Sequence, residues 1–177
     1  MQLADVQAPP HSIRPFAGPA DTVREMIRMV NSPRGERSIV VYRATENVVR
    51  GVWPKDYLSE ILAIRNWVAE KCRYKNDPLT VETVSDPERL VTEIAQYGQA
   101  TCDCDDIATL LATMLRQCGR EPEFVTVGFG RPNKYSHVFV RAKEPRTGKW
   151  IVCDPVAGTK EASMLAKVTT WKAWRIP

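Results

Sequence analysis

The chain has 177 residues, a formal net charge of +4, and 44% hydrophobic and 26% charged residues. That length supports one self-sufficient core and is short for two, and the balance is that of a globular protein. The mild charge, with no block of like charges and no Arg/Lys stripe interleaved with aromatics, excludes a nucleic-acid-binding reading. No run approaches the ~18 apolar residues that a membrane span needs.

Residues 1–20 carry Pro9, Pro10, Pro15 and Pro19 and little periodicity. They read as an extended proline-rich arm, leaving 21–177 as a single domain. The same prolines interrupt any apolar stretch of signal-peptide length, so the expected compartment is a cytoplasm. Five cysteines at irregular spacing predict thiols for chemistry or packing rather than a disulfide framework.

Asp21 is a candidate cap for a helix with Val23, Met26, Ile27 and Val30 on one stripe. A loop follows over Asn31–Gly35. Ser38–Arg43 is rich in β-branched residues and predicts a short first strand or an extended linker. Apolar spacing from Tyr57 to Val68 predicts a helix from about Pro54 to Arg73. Ser85-Asp86-Pro87 is a cap followed by proline, so Pro87–Tyr97 reads as a further helix, stopped by Gly98.

Asp103 is a good N-cap for a long helix over Cys104–Cys118. Its broad stripe of Ile107, Ala108, Leu110, Leu111, Met114 and Leu115 predicts a buried helix, closed by Gly119. Three β-rich runs come next, at Glu123–Phe129, Ser136–Lys143 and Lys149–Cys153, and Lys172–Arg175 reads as a further strand or a docking tail. Helices first, then a buried helix, then strands predicts an α+β fold with an antiparallel sheet packed on one helix.

The candidate chemistry begins at Cys104. A cysteine at the first residue of a helix meets unpaired N–H groups and the positive end of the dipole, which favour the reactive thiolate and can hold an oxyanion. A base and a group to fix that base are then required. Of the two histidines, His11 lies in the proline-rich arm, whereas His137 lies in a strand. Asp154 ends the next strand, within reach of a neighbouring imidazole.

These residues carry a resemblance. Cys104-Asp105-Asp106-Ile107-Ala108 opening a buried helix, then Val127-Gly128, then His137-Val138, then Trp150 through Asp154-Pro155, resembles the core motif of the transglutaminase-like superfamily in content, order and spacing. The similarity covers about residues 55–160. It implies a papain-like core with a Cys-His-Asp triad carried by Cys104, His137 and Asp154. The implied activity is cysteine-dependent hydrolysis of amide or peptide bonds, or acyl transfer, through a thioester, with a protein or peptide as substrate and no cofactor. Cys102 stands where bacterial relatives commonly have glycine, which makes it a possible secondary thiol. Gln99 is a candidate oxyanion donor. The chain is also similar in style to bacteriophage-encoded members.

Two other readings are open. The same fold could serve as a non-catalytic virion-assembly or binding protein, using the N-terminal arm and the tryptophan-bearing tail. Cys102, Cys104, His137 and Cys153 could instead form a zinc site. Simpler roles also stand for several residues. Asp105 and Asp106 suit dipole complementation and solvation at a helix start. Cys72, Cys118 and Cys153 suit packing, and Trp53, Trp67 and Trp150 suit a core.

Overall fold

The computed structural model describes residues 12–13, 18–76, 83–130 and 134–177. The fold is α+β, with helices packed against a four-stranded antiparallel sheet. Most of the proline-rich arm, including His11, lies outside the described residues. Within the arm, Ser12–Ile13 (β1) pairs antiparallel with Thr83–Val84 (β3).

Helix α1 runs Pro19–Val30 and starts two residues before the expected cap. Gly18 holds the N-cap position, Pro19 occupies the first turn, and Asp21 lies inside the helix, where it pairs with Arg24. Proline suits this place because its missing N–H would be unpaired there anyway. Val23, Met26 and Val30 are buried, as their spacing predicts.

The segment after Ser38 is a helix, not a strand. Ser38 caps α2 (Ile39–Val49) by accepting from the Val41 N–H. Only Val41 and Thr45 of this helix are fully buried, four residues apart on one face, while Ile39 and Val40 are exposed. The apolar cluster looked strand-like because short apolar runs do not distinguish the two periods. Helix α3 spans Tyr57–Lys71 under an Asp56 cap and buries Ile61, Ile64 and Val68.

The chain then straightens at Cys72–Tyr74 (β2), which lies parallel to Ala100–Cys102 (β4). Neither strand was visible in the sequence, because three-residue strands carry little periodicity. Between them, α4 covers Pro87–Tyr97, with Asp86 capping the Arg89 N–H and Gly98 at φ 82° closing it. That left-handed φ favours glycine. Helix α5 (Cys104–Gln117) follows β4 directly and buries every residue from Asp105 to Leu115.

The main sheet has the order β7-β6-β5-β8, built from Glu121–Gly128 (β5), His137–Lys143 (β6), Trp150–Cys153 (β7) and Thr170–Arg175 (β8). Phe124, Val138, Val140 and Ala142 belong to the same core cluster as α5. Val125, Val127 and Phe139 form a second cluster with Met164, Leu165 and Val168, from the short helix α6 (Glu161–Leu165) and the turn after it. The alternation of faces along each strand separates the two clusters. Gly128 ends β5 where a Cβ would lie 2.0 Å from the Lys134 carbonyl oxygen, so only glycine fits.

The tryptophans do not share one fate. Trp67 packs on the core. Trp53 is 82% exposed, and Trp150 is partly exposed with Arg141 stacked on its ring at 4.3 Å. Both therefore depart from a core role.

Candidate active site

The β4–α5 junction and the starts of β6 and α1 meet around a cavity of about 220 Å³. Cys104, His137, Asp103, Asp105, Val138 and Thr22 are among its lining residues. Asp103 caps α5 by accepting from the Asp106 N–H at 3.2 Å, which fixes Cys104 as the first helical residue. The β5–β6 register places His137 opposite Val127, at the end of the sheet beside that helix start.

His137 Nε2 lies 2.7 Å from Asp154 Oδ2. Asp154 is fully buried directly after β7. Its other oxygen accepts from the N–H groups of Val156 and Ala157, each at 3.1 Å. The carboxylate is thus held on both oxygens, and an ionised carboxylate only accepts. Nε2 therefore carries the ring proton when His137 is neutral, and Nδ1 keeps its lone pair. The turn role and the ring-orienting geometry coexist in one side chain.

The thiol does not have the lowered pKa that the helix start predicts. Burial in the cavity, reinforced by the nearby Asp105 and Asp103 charges, pushes the Cys104 thiol up to about 12. The backbone N–H groups of Val138 and Cys104 oppose this by hydrogen bonding to the sulfur, and they are outweighed. Desolvation disfavours the charged form, and two adjacent anions disfavour it further. Cys104 rests as a thiol at neutral pH.

Asp105 and Asp106 are buried rather than solvated. Asp106 accepts from the Ser85 N–H at 2.6 Å and the Ser85 hydroxyl at 3.2 Å, which ties the start of α5 to the segment entering α4. Sequence separation hid this link: nothing local marks Ser85 as a partner of Asp106.

The remaining predicted residues lie elsewhere. Cys102 is buried in β4, outside the cavity lining, with its pKa raised by the hydrogen bond its thiol makes to the Cys72 sulfur and by burial. Gln99 is exposed just before β4 and does not line the cavity either. Cys153 is fully buried in the core, and its thiol is pushed up to about 12 by burial. The four residues of the zinc reading are not brought together. Among the described residues, one group has metal-ligand geometry, Asp103, Asp105 and Asp106, with ligand atoms within 4.8 Å of one another. No helix among the described residues is long and apolar enough to cross a membrane.

A buried helix thus opens on a cavity cysteine, with a carboxylate-bound histidine on the adjoining sheet. Residues 44–155 match the sequence profile of the transglutaminase-like superfamily, and the chain belongs to that superfamily. The fold is similar to that of a candidate protease from Parabacteroides distasonis, at TM-score 0.59 and 16% identity, covering 78% of this chain and 27% of that one. It is also similar to a candidate cysteine protease from Cytophaga hutchinsonii, at TM-score 0.54 and 16% identity, covering 85% of this chain and 51% of that one. The chain therefore spans about a quarter and about half of the length of these two proteins. No curated protein matches the sequence.

Proposed function

We propose that this chain is a cysteine-dependent hydrolase of amide or peptide bonds, with Cys104 as nucleophile, His137 as general base and then acid, and Asp154 as the group that orients the ring. The observation that carries this reading is the 2.7 Å contact between His137 and the doubly anchored Asp154, on a histidine that shares its cavity with Cys104. The substrate is a protein or peptide, as the superfamily resemblance implies.

The raised thiol pKa sets the order of events. His137 Nδ1 takes the proton from Sγ as the sulfur attacks the carbonyl carbon, so no preformed ion pair is needed. The C–S bond forms while the C=O π pair moves to oxygen. That oxyanion meets the Cys104 N–H at the positive end of α5. Gln99 has no part in this scheme, because it lies outside the cavity lining. His137 Nδ1–H then protonates the leaving nitrogen, the C–N bond breaks and a thioester remains. Water attacks the thioester with its proton passing to His137, and that proton returns to sulfur as the acid leaves.

Peptide mixtures incubated with wild-type protein, Cys104→Ala and Asp154→Asn, and read by mass spectrometry, test the reading. Cleavage by wild type, none by Cys104→Ala, and a loss of roughly hundredfold or more in Asp154→Asn is the expected result. A primary amine added to the same reaction distinguishes acyl transfer, which gives the amine adduct in place of the acid. Intact peptides, with no acylated Cys104, would favour the non-catalytic binding or assembly reading.

A further inference from the structure

The cavity around Cys104 carries formal charge of one sign. Asp103 and Asp105 line it together with Cys104 and His137, and among the described residues none of its lining side chains is a lysine or an arginine. Asp103 is fixed through Oδ1 at the α5 cap and keeps 9% of its surface exposed. Asp105 is 2% exposed and acts here through its charge alone. Two groups on different elements feel these carboxylates. The Cys104 thiol is pushed up to about 12, first by burial and then by Asp105 and Asp103. Tyr74, at the end of β2 and 46% exposed, is pushed up first by burial and then by Cys104, Asp103 and Asp105. The negative potential thus extends from the sulfur to open surface.

The position of the charge says what answers it. Asp103 and Asp105 flank the one sulfur that shares a cavity with a carboxylate-bound histidine, which is where a substrate carbonyl must come. Charge acts without contact, so a cation anywhere within several ångströms of that sulfur is favoured and an anion is opposed. A cation has a second effect: an opposite charge beside the thiol favours its ionised form and offsets the two carboxylates. A neutral side chain gains neither. Val23, Met26 and Val138 add apolar lining, along which the aliphatic stem of a long cationic side chain can lie.

We infer that the site selects acyl donors with a cationic side chain at or beside the residue attacked, with Asp103 as the specificity-determining residue and Asp105 as a supporting charge. The inference rests on the hydrolase reading of the site. Complementary charge of this kind governs which partner is accepted more than how tightly partners bind in general.

Arginine and citrulline have nearly the same shape and differ in charge. Acetylated tripeptide coumarin amides carry one or the other at each position in turn, over alanine. The kcat/KM of each is measured on the full chain as wild type, Asp103→Asn and Asp105→Asn, with a chelator present so that no metal ion masks the carboxylates. Asparagine caps a helix as well as aspartate does, and the arginine-to-citrulline ratio cancels any change in the thiol itself. Wild type is expected to prefer arginine by roughly tenfold at one position or more. Asp103→Asn should cut that ratio by about threefold or more, and Asp105→Asn should lower it as well. Affinities of the same peptides for Cys104→Ala, with and without Asp103→Asn, should follow the same pattern without turnover. Equal handling of arginine and citrulline at every position, a ratio that both aspartate variants leave intact, or binding of neither peptide overturns the inference. Arginine-selective binding by Cys104→Ala that Asp103→Asn removes, with no turnover by wild type, upholds the role of Asp103 and sinks the hydrolase reading instead.

Discussion

Around Cys104 the electrostatics run against a resting thiolate. Asp105 contributes to this as a charge, so its removal has a definite sign. Asp105→Asn takes away a nearby anion, lowers the Cys104 pKa and raises the thiolate fraction at any pH below that pKa. Alkylation of Cys104 by iodoacetamide at pH 8, followed site by site, should accelerate roughly threefold for each unit of pKa lost, because the larger thiolate fraction is partly offset by lower nucleophilicity. In His137→Ala, with the thiol held near 12 by burial and its two carboxylates, the alkylation rate should keep climbing to pH 10 without the plateau of an ordinary thiol. A plateau near pH 8.5 would mean that the cavity does not desolvate the sulfur. Cys104, His137 and Asp154 were legible as candidates because each sits in a short local motif at an element end. The depth of the Cys104 sulfur was not, since it depends on the cavity that α1, β6 and the start of α5 enclose together. The buried state of Asp105 and Asp106 was equally hidden, because acidic residues in the first turn of a helix are ordinarily exposed dipole partners.

Among the elements, α5 was the most legible, because a broad apolar stripe with a strong cap and a closing glycine leaves little choice. The strands of the main sheet were legible from the change of period after Gly119. Helix α2 was misread because only Val41 and Thr45 are fully buried, with Ala44, Val48 and Val49 partly buried against the core, and Ser38 contributes contacts that no window of sequence reveals. Its hydroxyl donates to Glu88 Oε2 at 2.7 Å, which couples the start of α2 to α4. The end of β5 makes its own prediction. Gly128→Ala would drive a methyl group into the Lys134 carbonyl, 2.0 Å away, and force the segment that returns to His137 to move. We expect a loss of about 1–3 kcal/mol in urea unfolding, together with weaker turnover, since overpacking of this kind is destabilising. Unchanged stability would show that the connection yields freely.

At the scale of the molecule, the sheet is assembled from pieces far apart in the chain. β5 is flanked by β6 on one side and β8 on the other, and the connection to β8 passes through β6, β7 and α6. Arg116 on α5 reinforces that closure by donating to the carbonyl oxygens of Ile176 and Pro177 at 2.9 and 2.8 Å. Ending the chain at Thr169 would expose the β5 edge, and an open edge is a template for pairing with another chain. The shortened protein should elute as dimers or larger species in size-exclusion chromatography. A stable monomer with full secondary structure would mean that β8 is dispensable. This arrangement was only partly legible: Lys172–Arg175 read as a strand or a tail, and nothing in six residues names the strand they join.

Asp154 closes a turn with one oxygen and holds His137 with the other. A descendant that lost its chemistry would still depend on the turn, so selection on folding alone would preserve the aspartate. Among the described residues, the His137 side chain makes one hydrogen bond, the one to Asp154. Drift in a retired copy would erase His137 first and leave Asp154 standing, so across a lineage the histidine is the more informative relic of a working site.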